Sequence, residues 1–413
     1  MKTQLRVALL GCGTIGSQVA KRIIDQRLLW LERLGLDITI AGIAVRSIAR
    51  PRPGIPQELL TDNAEALILS PDIDVVVELL GGRTPAREYI EMALQAKKPV
   101  VTANKELLSL AGAELMAVAR QNSVPLYCEA AVGGAIPLTR VFEEALLGDE
   151  ILSFKGILNG TTNYILDQMD RFGQTFTDAL KRAQELGYAE ADPTADVEGL
   201  DAAAKTAILA TEAFFERIRR DQVSCQGITQ ITDWDVEAAK SFGLTLKLLA
   251  KGCKSGEHLC VEVAPTVLPQ DHPLSSVTGA TNALYIKARL AGTLMLIGQG
   301  AGPDPTASAV LGDVINALLR PQTPSGSGFM QLERDAEVTT AQVPVAHLVV
   351  GSPKMSKIEL RDLLRRQGFT PDRLSQGKAP AALTLPANTL ELQTALTEFT
   401  EAAENIRIYR VEE

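Results

Sequence analysis

Histidine is almost missing from this sequence, with three in 413 residues, at positions 258, 272 and 347. Two of them sit in turn-like sequence, EHL and DHPL, so surface or loop histidines are expected, and proton transfer is left to lysine or a carboxylate. The five cysteines, at 12, 128, 225, 253 and 260, form no CxxC pair. With that spacing neither a zinc site nor a disulfide framework is indicated, and reduced, mostly structural thiols are expected. No apolar run approaches the length that spans a bilayer, and the opening MKTQLRVALLGCG passes directly into a strand pattern rather than a signal sequence, so a cytoplasmic protein with no membrane partner is expected. Excess positive charge is lacking too: the formal net charge of −9 argues against nucleic acid or anionic lipid as partner and favours small molecules.

What is present is a long chain with 46% hydrophobic and 22% charged residues, enough for two or three units with sizeable cores. The apolar run LRVALL (5–10) stops at GCGTIG, after which Ile15, Val19, Ile23 and Ile24 fall on one helical stripe. In this strand–turn–helix, Gly11 permits the tight turn, Gly13 lets the backbone approach a pyrophosphate, and Gly16 lets helix and strand pack closely. Cys12, Thr14 and Ile15 complete the loop, whose helix N-terminus faces the negative charge. Further apolar runs at 38–45, 74–80, 99–104 and 124–130 alternate with helical segments such as 85–96 and 106–121, which predicts an α/β unit with a Rossmann-type, doubly wound parallel sheet. No acid stands at the end of the second strand, where an NAD site would hold the ribose hydroxyls. Arg46 stands there instead, with Arg50 and Arg52 nearby, which suits the 2′-phosphate of NADP, with NAD the other possibility. Lys105 follows the strand PVVTAN, at the sheet edge where ligands bind.

One stretch, ELGYAEADPTADVEGLDAAAK (185–205), gathers six acids before a closing lysine. A helix starting near Asp196 is expected to bury Val197, Leu200, Ala204 and Ile208, with Asp201 and Lys205 one turn apart on the adjacent stripe. As a surface ion pair these two would contribute only about 0.2–0.5 kcal/mol. The same stretch, extended back to Ala183, resembles the signature of the homoserine dehydrogenases at every constrained position. The segments AAVGGAIP, GILNGTTNYIL, HPLSSVTGATNAL and GQGAGPDPTASAVLGD are similar to segments of that family and come in the family's order, so the resemblance covers at least residues 5–320.

The resemblance implies a dinucleotide-binding domain over 1–135, completed by about 298–320 with Gly302 against the cofactor, and an α+β substrate-binding and dimerisation domain over 136–297. It implies reversible reduction of L-aspartate 4-semialdehyde to L-homoserine by a homodimer or homotetramer. Lys205 would then be the proton donor and acceptor, Lys105 a second cation beside it and Asp201 a third member of the catalytic group. An unperturbed lysine, with a pKa of about 10.4, donates readily at neutral pH but is a poor base unless burial or a neighbouring cation lowers that value. Glu190 is expected at the substrate's ammonium or hydroxyl end, assisted by Asp196 and Asp201, with Tyr188, Asn159 and Thr161 as neighbours. The family also implies a monovalent cation, sodium, on backbone carbonyls of Glu129, Val132, Gly134 and Ile136.

Residues 321–342, rich in Pro, Gly, Ser and Thr, read as a linker. Beyond it the order strand, helix, one or two strands, helix, strand over 343–413 looks like a ferredoxin-like ACT module, although the acid-PG loop usual in such modules is replaced by GSPKMSK, which puts effector binding in doubt. No kinase region precedes residue 1, which implies the monofunctional form. Rival readings are another two-domain NADP oxidoreductase, such as aspartate-semialdehyde dehydrogenase, which requires a cysteine nucleophile paired with histidine, and a non-catalytic nucleotide or amino-acid sensor.

Overall fold

A computed structural model describes residues 4–256, 258–320, 336–339, 345–397 and 406–412. Its contacts divide the chain into two compact units, one of residues 1–152, 204–222 and 287–337, the other of residues 153–203, 223–286 and 338–413.

The first unit carries strands β1 (Gln4–Leu10), β2 (Asp37–Ala44), β3 (Leu60–Thr61), β4 (Val75–Glu78), β5 (Val100–Thr102) and β6 (Leu126–Tyr127). They pair in parallel in the order β3-β2-β1-β4-β5-β6, the doubly wound order whose direction reverses between β1 and β4. Near-continuous burial of Val7 to Leu10 and Val75 to Val77 reflects a sheet covered on both faces. The helix Thr14–Leu34 turns Val19, Ala20 and Ile23 onto it and ends at Gly35, whose left-handed backbone (φ 68°) lets its own N–H cap the Leu31 carbonyl and the Leu36 N–H cap that of Trp30. The helix Pro303–Leu319 joins the same core through Ala307, Val310, Val314 and Ala317. Each such fully buried valine contributes about 1.5–3 kcal/mol.

The chain continues through β7 (Ile151–Ile157), β8 (Ser224–Cys225), β9 (Leu244–Ser255), β10 (His258–Pro269), β11 (Thr281–Ala288) and β12 (Gly292–Gln299), then β13 (His347–Val350), β14 (Pro371–Leu374), β15 (Ala381–Thr384) and β16 (Arg407–Val411). In the second unit the strand order runs β11-β7-β9-β10-β16-β13-β15-β14, a mixed sheet in which β10 and β16 are parallel and β9 and β10 form a long antiparallel hairpin. The tail, with helices Lys357–Arg366 and Thr389–Thr397, has the expected strand–helix–strand–strand–helix–strand order and its own apolar core of Val349, Leu360, Leu364, Ala382 and Leu392. It is stitched into the larger sheet by Thr266↔Arg410 and Val267↔Val411 and by largely part-buried charges: Glu412 meets Lys155 and Lys251, each at 3.0 Å, while Glu262 meets Lys251 at 2.8 Å and Arg410 at 2.7 Å. Burial opposes the Glu412 charge, but Lys251 and Lys155 outweigh it and hold the carboxyl down at about 2.

The linker expected over 321–342 lies outside the described residues except for 336–339. Those four are bonded to the body of the protein, Ala336 N–H to Arg217 O at 2.8 Å and Thr339 N–H to Leu259 O at 2.8 Å. Residues 398–403 of the expected last helix also lie outside. The expectation of surface or loop histidines fails at His347, while His272 lies in a turn as expected but is buried. His347 is fully buried in β13, its Nε2 2.9 Å from Thr389 Oγ1, and His272, also buried, accepts the Leu274 N–H on Nδ1 at 3.1 Å. Turn-like flanks did not keep His272 in solvent, because its ring caps the short turn that follows.

Candidate functional site

The crevice at the carboxyl ends of β1 and β4 is shaped by what glycine omits. Gly11 has φ +104°, and a Cβ there would lie 2.7 Å from Leu79 O. One at Gly16 would lie 2.3 Å from Gly11 O. Gly13, the N-cap residue, has ordinary backbone (φ −81°) and nothing within 4 Å of where its Cβ would sit. Side-chain bulk is therefore forbidden at two positions by the protein itself and at the third by nothing among the described residues. Cys12, Gly13, Thr14 and Ser17 line one pocket with Lys21, Arg50 and Arg52, so a helix N-terminus and three cations face the same space. Burial raises the Cys12 thiol pKa although Arg52 is hydrogen-bonded to it. Ile15 is half-buried and packs toward the sheet core. Arg46 is exposed and lines a second pocket with Ala44, Val45, Asp62, Gly81 and Tyr89.

The floor of the crevice is fixed by an acid that the sequence reading passed over. Glu78, fully buried at the end of β4, accepts the Leu80 and Gly81 N–H groups at 2.7 and 3.3 Å and the Thr102 hydroxyl at 2.6 Å. Thr102 Oγ1 in turn accepts the Asn104 N–H at 3.0 Å, and Asn104 both caps the helix Lys105–Gln121 and donates to Gly82 O at 2.7 Å. Lys105 is the first residue of that helix and half-buried, so its backbone is positioned by this chain of bonds. Gly302 (φ +119°) precedes the helix Pro303–Leu319 in the same unit. An acid closing a valine run, DVVVE, was the available signal for Glu78.

The loop Glu129–Ile136 is buried at Glu129, Val132, Gly134 and Ile136. Gly134 (φ +57°) packs so closely on Gly300 that a Cβ would come within 2.6 Å of its carbonyl carbon. The Glu129 carboxylate accepts Thr139 N–H, Thr139 Oγ1 and Arg140 N–H at 3.1, 2.9 and 2.9 Å. The Glu129 carbonyl accepts the Val132 N–H and that of Ile136 accepts the Leu138 N–H, leaving one lone pair on each. Close by, Glu143 and Glu212 bring two carboxyls into hydrogen-bonding contact. Burial is the main cause raising the pKa of both, followed by the charges of Glu129 and Asp313 at Glu143 and by the charge of Glu143 at Glu212. Neither Glu212 oxygen receives a hydrogen bond from a fixed donor among the described residues, so a proton held between the two carboxyls supplies a contact that no fixed donor does.

In the second unit Asn159 caps the helix Gly160–Phe172, its Oδ1 accepting Thr162 N–H at 2.9 Å. Its amide nitrogen donates to Asp196 Oδ1 at 2.6 Å and to Asp201 Oδ2 at 3.0 Å, bringing together three of the predicted residues. Thr161 donates to Tyr188 O at 2.6 Å, and the Tyr188 ring tilts against Tyr164 at 5.1 Å. Glu190 is not gathered in; it is exposed, and only its backbone carbonyl is held, by Gln184 at 3.1 Å. Asp192 and Glu198, of the same acidic stretch, are also exposed.

The helix expected from Asp196 is broken. Thr194–Val197 forms one turn, Gly199 takes φ +76°, and the helix Leu200–Phe214 starts anew. Leu200 consequently leaves the buried stripe and is 42% exposed, whereas Val197, Ala204 and Ile208 stay inside. Asp201 and Lys205 still lie one turn apart on the new helix, and Lys205 is only 7% exposed. Because one helix carries both groups, their spacing is fixed by local geometry.

A family model described as homoserine dehydrogenase matches residues 137–315, and one described as homoserine dehydrogenase, NAD binding domain, matches residues 11–129. The homoserine dehydrogenase of Corynebacterium glutamicum is 50% identical over 318 residues, which are 75% of this chain and 71% of that protein. This chain belongs to the homoserine dehydrogenase family. It is thus an oxidoreductase acting on a CH–OH group, with an NAD(P)-binding domain. A crystal structure of a homoserine dehydrogenase from Thiobacillus denitrificans superposes with a TM-score of 0.90 at 33% identity, over 99% of this chain and 98% of that one. A hyperthermophilic archaeal homoserine dehydrogenase in complex with NADPH matches at a TM-score of 0.65 and 26% identity, over 78% of this chain and 99% of that one. Among the described residues no helix is long and apolar enough to cross a membrane.

Proposed function

We propose that this homoserine dehydrogenase interconverts L-aspartate 4-semialdehyde and L-homoserine with NADP(H) in the cytoplasm, and that Lys205 transfers the proton. The observation that carries the reading is the Asn159–Asp196–Asp201 constellation with the buried Lys205 amine one helical turn beyond Asp201. A substrate with an ammonium group needs carboxylates whose orientation is fixed, and Asn159 fixes two of them. Hydride delivered to the aldehyde carbon leaves an alkoxide, which the Lys205 ammonium protonates. In the other direction the neutral amine removes the hydroxyl proton as hydride leaves. Lys105 adds a second positive charge, and Glu190, Tyr188 and Thr161 border the amino-acid end.

For the cofactor, Gly11, Cys12, Gly13, Thr14, Ile15 and Gly16 would carry the pyrophosphate and Gly302 would border it. Arg46 would bind the 2′-phosphate, a preference supported by the cations Lys21, Arg50 and Arg52 that line the pocket at the glycine loop. NADPH supplies the hydride when bound. A monovalent cation, sodium, suits the loop carbonyls of Glu129, Val132, Gly134 and Ile136, a hard-oxygen set in which Glu129 and Ile136 each keep a lone pair. The functional division would place the dinucleotide domain at 1–135 with 298–320, the substrate and dimerisation domain at 136–297, and an ACT-type module at 343–413. The strand order β16-β13-β15-β14 supports that last reading. A homodimer or homotetramer is the expected assembly.

The test is to follow NADPH absorbance with aspartate semialdehyde, and NADP reduction with homoserine, for the wild type and Lys205→Ala. The expected result is turnover in both directions, with kcat lowered at least about 100-fold by the substitution, the size of a general acid–base contribution, while NADPH binding is retained. Unchanged kcat would remove Lys205 from the chemistry. Activity that requires phosphate would point to aspartate-semialdehyde dehydrogenase, and binding without turnover to a sensor.

A further inference from the structure

Two of the five cysteines are brought together by hairpin register rather than by sequence spacing. Cys253 on β9 lies directly opposite Cys260 on β10. Directly opposed residues of an antiparallel pair project to the same face with Cα atoms about 4.5 or 5.5 Å apart. Both separations fall within the range of about 4.4–6.8 Å that a disulfide spans. The two side chains are in hydrogen-bonding contact, Cys253 is exposed and Cys260 half-buried. Sulfur is thus accessible on one side and has a resolving partner on the other.

We propose that Cys253 and Cys260 form a redox-active dithiol, a modification site at which a peroxide converts the pair to a cross-strand disulfide. The chemistry assigns the roles. The hydrogen bond from Cys260, with Arg410 adding positive charge against Glu262 and Glu412, brings the Cys253 thiol down to about 7, whereas Cys260 is pushed up. Cys253, the more exposed of the two and the one whose thiolate is favoured, is therefore the nucleophile. It attacks one oxygen of hydrogen peroxide, forming S–O as O–O breaks, and the departing hydroxide takes a proton to become water. Cys260 sulfur then attacks the Cys253 sulfenic sulfur; S–S forms, S–O breaks, and the hydroxyl leaves as a second water with the Cys260 proton. Two thiols lose two electrons and two protons, and one peroxide is reduced to two waters. The bridge encloses only the six residues 254–259, so the proposal concerns reversible chemistry at this site rather than stabilisation of the fold.

The experiment uses the full-length protein with one equivalent of hydrogen peroxide. Thiols are counted after unfolding, and the digest is mapped by mass spectrometry. The expected result is loss of two of the five thiols, a linked Cys253–Cys260 peptide and recovery of both thiols with dithiothreitol. Cys260→Ser should stop the reaction at a Cys253 sulfenic acid that a dimedone probe captures, Cys253→Ser should abolish thiol loss, and Cys225→Ser should still lose two thiols. Iodoacetamide should label Cys253 with a pH midpoint near 7. Unreactive thiols in the native protein, oxidation centred on another cysteine, or a Cys253 sulfenic acid that persists with Cys260 present would each overturn the proposal.

Discussion

Two glycines three residues apart should respond in opposite ways to the same added methyl. At Gly16 the new Cβ would sit 2.3 Å from Gly11 O and 3.0 Å from Gly11 C, both backbone atoms. Carbon contacts are comfortable at about 3.5–4.0 Å, so strand exit and helix must separate by roughly 1 Å, at an overpacking cost of about 1–3 kcal/mol. At Gly13 the methyl meets nothing within 4 Å and φ is −81°, which alanine adopts freely, so only the modest loss of a glycine N-cap applies. If the empty volume above Gly13 belongs to the pyrophosphate, the methyl obstructs the ligand instead of the fold. An obstruction of about 1–3 kcal/mol corresponds to about a 5- to 140-fold weaker Kd for NADPH. Fluorescence titration with NADPH and thermal unfolding of the apoenzyme read the two effects separately. Gly13→Ala should keep the wild-type Tm and lose affinity, and Gly16→Ala should lose several degrees of Tm. Wild-type affinity in a folded Gly13→Ala would move the cofactor away from this loop.

Arg46→Ala should raise KM for NADPH about 10- to 150-fold, the equivalent of a lost charge-assisted bond of about 1.5–3 kcal/mol, while leaving KM for NADH nearly unchanged; an equal change for both would place Arg46 off the 2′-phosphate. Glu212→Gln should stabilise the protein selectively at alkaline pH. Glutamates titrate near 4.3 in an unfolded chain, and burial raises both Glu143 and Glu212 above that when folded. Between those values the folded state holds protons that the unfolded state has released, so stability falls with rising pH by up to about 1.4 kcal/mol per unit for each retained proton, then levels off above the folded value. The Tm advantage of Glu212→Gln should accordingly be clear at pH 8 and shrink towards pH 5, and a gap independent of pH would contradict the shared proton.

The features legible in the sequence are those that local geometry fixes. GCGTIG after an apolar run specifies a strand–turn–helix whichever strands lie beside it, and the valine-rich runs at 74–80 and 99–104 could only be interior parallel strands, so the doubly wound sheet followed. Asp201 and Lys205 were placed one turn apart because a helix sets that distance. The same reasoning failed at Gly199, where the apolar period continues through VEGLDAAAK while the backbone turns left-handed. Periodicity reports which residues are apolar and is blind to a phase reset at glycine, which is why Leu200 was assigned inward and lies outward.

The features that were not legible depend on register between distant segments. Glu78 reads as the polar end of a strand until Thr102 and the Leu80 amide are seen to close around it. Glu143 and Glu212 are separated by 69 positions, and each alone resembles a helical surface acid. Cys253 and Cys260 fail every spacing rule for paired cysteines because those rules describe loops and turns, whereas a hairpin aligns residues by counting outward from its tip in both directions. Parity then decides everything, since slipping one strand by a single residue would send one thiol to the opposite face. In this protein the pair proposed as catalytic, Asp201 and Lys205, is encoded in one helix and survives a mistaken helix start, while the buried acid pair and the opposed thiols exist only in the right tertiary register. Their predicted responses, the alkaline Tm gap and the peroxide-formed bridge, therefore test the packing inside each unit more stringently than loss of activity at Lys205 does.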